Sequence, residues 1–269
     1  MEKIAFSAVS LLRLLHKLLF FILAIAFLLN GFESRGQFMD GASGLLQMPS
    51  AEMNQSGTFM ITNNFMNAHT LPSEAWGYNS FGYGFDITFW QRLEVYYTCI
   101  LFDGKRKPNP TERDLIMFNQ DRHLGVKILL LKGGEFGVEW LPKLAVGIND
   151  FDKGMFTARG QGNGFFTRVY AVASESFQTA MGPVGAHLGY QFNNWTYYSL
   201  SGPIAAIDWE PVWLQNEELI STKLIAEYDA RTLNVGVVAS IWQDRFEAMM
   251  ELQAFKWFSA GIRYKLVLK

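Results

Sequence analysis

The sequence predicts an all-β protein: an antiparallel transmembrane β-barrel of about twelve strands, preceded by a cleavable signal peptide. Three observations predict it. A basic lead and a short apolar run open the chain, the remainder alternates apolar and polar residues with a period of two, and the alternating segments reach about ten residues. That is longer than the usual strand of a soluble protein and is the length a tilted strand needs to cross a bilayer.

The amino terminus carries Lys3, Arg13 and Lys17 ahead of the apolar run Leu18 to Leu29, which ends at Asn30-Gly31. Such a run is too short to span hydrocarbon, which takes about 20 apolar residues. With the small-residue exit Ser34-Arg35-Gly36-Gln37 it reads as a secretory signal over residues 1–37. The competing reading, an anchor helix from Ile4 to Leu29, would bury Arg13 and Lys17 in lipid, which is costly. Residues 38–57 then form a lead segment and 58–269 the barrel. Cys99 is the only cysteine, so no disulfide staples the exported chain, and no cysteine follows the apolar run to take a lipid.

Composition excludes several classes. At 49% hydrophobic, 15% aromatic and 18% charged, the chain is too apolar for disorder. Setting aside residues 1–36 removes four basic side chains (Lys3, Arg13, Lys17, Arg35) from 23 and two acidic ones (Glu2, Glu33) from 25, leaving 19 and 23, a net of −4. That balance argues against nucleic acid as a partner. After Gly36 no apolar stretch is long enough for a membrane helix.

Periodicity supplies the strands. Phe81, Tyr83, Phe85, Ile87 and Phe89 fall on one face, with Gly82, Gly84, Asp86 and Thr88 on the other. The pattern repeats in Leu93–Leu101 and, near the end, in Leu233–Ile241, Phe246–Ala254 and Phe258–Leu266. Twelve strands result: Thr58–Asn67, Asn79–Phe89, Leu93–Phe102, Arg122–Leu131, Pro142–Asn149, Phe165–Ser174, Val184–Phe192, Pro203–Leu214, Leu219–Tyr228, Thr232–Ile241, Phe246–Ala254 and Phe258–Val267. Twelve is even, as bacterial barrels require, and connections in the first half alternate long and short. Alternation alone also fits a soluble sandwich or lipocalin-like barrel. The distinguishing expectation is that the aromatic faces meet lipid and the small and charged faces line the lumen.

The candidate site is therefore the inward face: Asp86, Glu94, Lys223, Glu227, Glu247, Glu251, Arg263 and Lys265. A turn at Phe255-Lys256-Trp257 would set Glu247 opposite Lys265 and Glu251 diagonal to Arg263. These charges either select a polar passenger or fill a narrow barrel with ion pairs. An enzyme would need a nucleophile, a base and an orienting group. His69, His123 and His187 have no Ser or Asp at a meaningful sequence spacing, so no catalytic residue is assigned. No metal-ligand cluster, phosphate loop or dinucleotide fingerprint is present, and no cofactor is expected. Phe258, Gly261, Tyr264 and Leu266 approximate the last-strand signal read by outer-membrane insertion machinery, although the chain ends on Lys269.

Several segments carry a resemblance to a known family. Gly41-Ala42-Ser43-Gly44-Leu45-Leu46-Gln47-Met48-Pro49-Ser50-Ala51 is similar to the amino-terminal signature of YjbH-type exopolysaccharide-biosynthesis outer-membrane proteins. Trp90-Gln91-Arg92-Leu93-Glu94, Asp121–Lys127, Pro142–Asp150, Gly202-Pro203, Trp209-Glu210-Pro211, Ala226-Glu227-Tyr228-Asp229 and Leu233–Val237 follow in the family's order. The resemblance implies an outer-membrane β-barrel of a Gram-negative bacterium, in contact with outer-membrane lipid. It also implies work with surface polysaccharide and other polysaccharide-export proteins, in a structural or passage role. Against it stand two readings from other classes, an outer-membrane lipid-modifying enzyme and a general small-molecule porin.

Overall fold

A computed structural model describes residues 37, 40–72, 77–102, 119–138, 140–150, 165–193, 200–216, 220–242 and 244–268. The signal-peptide expectation for residues 1–37 lies outside these, except at Gln37. Twelve strands form: β1 (Thr58–Met66), β2 (Ser80–Phe89), β3 (Leu93–Phe102), β4 (Asn119–Leu131), β5 (Lys143–Asn149), β6 (Arg168–Phe177), β7 (Val184–Phe192), β8 (Gly202–Trp209), β9 (Ile220–Tyr228), β10 (Leu233–Ile241), β11 (Phe246–Gln253) and β12 (Trp257–Val267). Each pairs antiparallel with its sequence neighbours, and β1 pairs with β12, from Thr58↔Val267 to Phe65↔Ala260, closing the barrel. Closure leaves no unpaired sheet edge, the condition for strands to stand in hydrocarbon.

The alternation resolves outward for the aromatics. Phe81, Tyr83, Phe85 and Phe89 of β2 are exposed, while Gly82, Gly84, Asp86 and Thr88 are buried toward the axis. Along β12, Phe258, Ile262 and Tyr264 face out while Ser259, Arg263 and Lys265 face in. In a soluble fold this would be inside out. It is the arrangement of a lipid-facing wall around a polar interior. Exposed Trp90, Trp140, Trp213 and Trp242 stand at the end shared by the β2–β3, β4–β5, β8–β9 and β10–β11 connections. There an aromatic girdle marks a membrane–water interface. With twelve strands, Gly57 and Leu268 meet at that same end, Leu268 donating to the Gly57 carbonyl at 2.7 Å.

Three strands differ from the expected bounds by three or more residues at an end. β4 begins at Asn119 because Asn119, Gln120 and Asp121 still pair with Phe102, Leu101 and Ile100. β6 is shifted toward Phe177, whose ladder with β7 runs on through Glu175↔Ala186 to Phe177↔Val184. β8 stops at Trp209, because Pro211 has no N–H to donate, and the chain turns through a short 3-10 segment at Val212–Leu214.

Two inward tyrosines shape the wall. Tyr96 lies opposite Gly125 and Tyr170 opposite Gly147, and a Cβ on either glycine would sit about 2 Å from the ring. Glycine at these positions lets a large ring lie flat against the barrel wall, filling the lumen side without bending the strand.

Candidate functional site

The lumen is occupied by the chain itself. Gln37 and Asp40 to Ala51 are buried, and they enter the barrel as a small hairpin, with Gly44 bridged to Pro49 and the N–H of Leu45 donating to the Met48 carbonyl at 3.0 Å. The tip, Leu45, Leu46 and Met48, packs on inward apolar side chains that include Val172, Ile204, Ile225, Val238 and Met249. Thus the interior carries an apolar patch at one level and charges above and below it. From the sequence, residues 38–57 are expected only as a lead segment, and the lumen is expected to hold side chains and not a length of chain.

The charges of the wall grip this segment by its backbone. Glu227 of β9 accepts three consecutive N–H groups, from Leu46 (3.0 Å), Gln47 (2.7 Å) and Met48 (3.3 Å). Glu251 of β11 accepts the Gln47 side-chain amide at 2.7 Å. Across the barrel, Lys127 of β4 donates to the carbonyls of Ser43 (2.8 Å), Ser50 (3.3 Å) and Glu52 (2.6 Å) and pairs with Glu94 at 3.1 Å. Glu94 in turn accepts the N–H groups of Ser43 and Asn54. Arg168 of β6 forms an ion pair with Asp40 and donates to the Gln47 carbonyl at 3.3 Å. A carboxylate taking the N–H groups of a tight turn, and an ammonium taking its carbonyls, satisfy groups that would otherwise be buried unpaired.

All eight charged residues singled out from the sequence face inward and are buried. The structure sorts them by neighbour. Glu94, Glu227 and Glu251 hold the hairpin. Glu247 and Lys265 form their own ion pair at 2.8 Å beside Arg263, which donates to Asn64 at 3.5 Å. Asp86 accepts from Thr88 at 3.5 Å, and Lys223 pairs with Asp208 (3.0 Å) and Glu210 (3.3 Å).

The β11–β12 register differs from expectation. The turn falls at Ala254–Lys256, one residue early, and the pairing moves by two: Glu247 stands opposite Arg263 and Glu251 opposite Ser259. Lys265 still reaches Glu247 diagonally, but Glu251 turns to the hairpin instead of Arg263. The left-handed conformations of Ala254 and Phe255 close this three-residue turn.

Lys127, Arg168, Ser174 and Asp208 lie outside the set of site residues expected from the sequence. Their inward parity with Gly125, Tyr170 and Ala206 was the available signal. His187, which has no partner at a meaningful sequence spacing, gains one from each of the two strands that flank β7. Ser174 lies directly opposite on β6 with Oγ 2.8 Å from Nδ1, and Asp208 of β8 is 2.6 Å from Nε2. The tautomer that fits both carries its proton on Nε2. Ser174 Oγ also accepts the N–H of Ala51 at 2.8 Å, so this chain of contacts ends on the plug. Of the other histidines, His69 stacks on Trp257 at one end of the barrel and His123 lies beside Phe166. Among the described residues no group of three or more His, Cys, Asp or Glu could hold a metal ion.

A family model described as exopolysaccharide biosynthesis protein YbjH (YjbH) matches residues 37–215. No curated protein matches the chain. Among solved structures, similarity is found to LpxR from Salmonella typhimurium, at 9% identity over 77% of this chain and 99% of that one, with a TM-score of 0.38. Wzi of Escherichia coli, an outer-membrane protein involved in group 1 capsule assembly and described as a carbohydrate-binding β-barrel, is 12% identical over 87% of this chain, with a TM-score of 0.33. This chain covers 64% of Wzi. A triple-mutant porin of Rhodopseudomonas blastica is 12% identical over 80% of this chain and 75% of its own, with a TM-score of 0.31.

Proposed function

Since the chain belongs to the YjbH family of exopolysaccharide biosynthesis proteins, we propose that it is an outer-membrane β-barrel serving exopolysaccharide or capsule assembly in a structural, non-catalytic role. The observation that carries this reading is where the family match falls. It begins at Gln37 and runs through β8, so it takes in the plug together with Glu94, Lys127, Arg168 and Ser174, which hold it. The matched stretch thus includes the lumen-filling hairpin and part of the wall that holds it, which supports reading this chain as a filled barrel. A filled barrel suits a membrane-fixed scaffold that offers its loops and rims to surface polysaccharide and to other export proteins. The passage and porin readings are disfavoured by the same hairpin. The long β1–β2, β3–β4 and β5–β6 connections share the end opposite Gly57 and Leu268, and that end faces outward from the cell in this reading.

Deleting the gene should reduce surface-bound exopolysaccharide. Re-expressing the wild-type chain should restore it, and a chain with Lys127→Met and Glu227→Leu should restore it less, at equal outer-membrane abundance. Unchanged polysaccharide on deletion would sink the proposal.

One observation favours a second reading, an outer-membrane acyl-ester hydrolase, because Ser174, His187 and Asp208 stand in the order nucleophile, base and orienting acid. Against it, the serine hydroxyl is already engaged by Ala51, and all three side chains are buried beneath the plug. Ester turnover by the purified barrel that vanishes in Ser174→Ala would establish the enzyme. Turnover equal to a detergent blank would remove it.

A further inference from the structure

The outward face of the barrel carries a polar exception. On β1 the outward residues are Phe59, Ile61, Asn63 and Phe65, and Asn63 is exposed. Among the described residues, no hydrogen bond reaches its carboxamide. The other polar outward side chains, Gln120 and Arg122 of β4, Glu175 of β6 and Thr222 of β9, lie close to strand ends, where they reach the interface.

Asn63 stands near mid-height. Its register line runs Ala248, Ile262, Asn63, Tyr83, Cys99, Arg122 across β11, β12, β1, β2, β3 and β4. Because the strands stagger around a barrel, that line climbs. At β11 it is two residues from the strand start beside the β10–β11 turn, and at β4 it is near the opposite end, where the β3–β4 connection enters. Asn63 lies between these extremes, where lipid offers no hydrogen-bond partner.

Around it the wall is hollowed. A groove of about 510 Å³ runs over the small residues Ala248 and Ala260, between Phe65 and Phe81 on one side and Met250 and Ile262 on the other. Small residues let two walls approach closely inside a membrane, and an amide buried between them is then paired.

We propose that this groove is the contact between two copies of the chain, paired Asn63 to Asn63. A carboxamide both donates and accepts, so a second carboxamide satisfies it fully. All copies are inserted in the same direction, so a two-fold axis relating them lies along the membrane normal and brings the partner's Asn63 to the same height. An acyl chain would fill the groove but leave the amide unpaired. A different protein would need a polar group of its own at that depth. The proposal rests on the membrane reading of the barrel and on nothing about polysaccharide.

The test uses the full chain in lipid vesicles, with Cys99→Ser as background and one introduced thiol. Ile61→Cys, beside Asn63, should give dimers with a short thiol-to-thiol crosslinker. Leu188→Cys, on β7 across the barrel, should not. Adding Asn63→Leu to Ile61→Cys should lower the association constant by about tenfold, for loss of a hydrogen-bonded pair within the membrane. That variant places an apolar group against lipid, so it should insert and resist heat as the parent does. Equal crosslinking at both positions, a monomer in the wild type, or dimers indifferent to Asn63→Leu would each overturn the pairing. A detergent-requiring monomer would defeat the pairing alone, whereas a chain that stays dissolved without detergent or lipid would defeat the membrane reading beneath it.

Discussion

At the scale of single residues, the buried charges of Glu94, Lys127, Arg168, Glu227 and Glu251 are completed by groups of the plug. Removing one partner of such a set leaves the rest desolvated and unpaired, a loss of about 3–5 kcal/mol. Glu227→Leu strands three N–H groups and should cost that much in unfolding free energy, read by denaturant titration in detergent. Outside the lipid belt, Asp229 closes the β9–β10 turn by accepting the N–H groups of Arg231 (2.9 Å) and Thr232 (2.8 Å) and the Arg231 guanidinium (3.0 Å). Burial favours its neutral form, but Arg231 and these N–H groups outweigh it and hold its pKa below the ordinary 3.8. A carboxylate lowered on folding stabilises fully above that ordinary value, and its contribution fades as pH falls through it toward the lowered one. Asp229→Asn should therefore cost about 1–2 kcal/mol near neutrality and almost nothing in strong acid, where equal losses at both pH values would contradict the assignment.

At the scale of elements, glycine placement and turn conformation make testable demands. Gly125→Ala drives a methyl into the Tyr96 ring and should destabilise the barrel by about 1–3 kcal/mol, and Tyr96→Ala in the same chain should recover part of it. At the β2–β3 turn, Trp90 and Gln91 both take left-handed conformations, at φ 53° and 52°. Gln91→Gly removes a cost of about 1 kcal/mol and should slow unfolding. The strands themselves were readable because a two-residue period with an aromatic face survives burial on only one side. Val184–Phe192 and Leu93–Phe102 agree with the sequence expectation at both ends. Turn positions were less readable: the Ala254–Lys256 turn uses left-handed Ala and Phe with no glycine to announce it, and one residue there displaced the whole β11–β12 register.

For the molecule as a whole, parity told which charges line the lumen but could not tell what fills it. The filling segment, Gly41–Ala51, has no period and bonds mostly through its backbone, so its role shows only in contacts far apart in sequence, such as Ser43 to Glu94, Leu46 to Glu227 and Ala51 to Ser174. The Ser174, His187, Asp208 chain was hidden for the same reason, its members being brought together by strand pairing and not by spacing. The same hairpin unites a lipid-facing wall, a charged interior and a family match that begins inside the barrel. The most direct test is single-channel current across a planar bilayer, comparing the wild type with a chain lacking residues 40–54. The wild type should pass no steady current, and the shortened chain should show discrete ohmic steps. Steady current through the wild-type barrel would mean that the lumen is open and that the hairpin does not fill it.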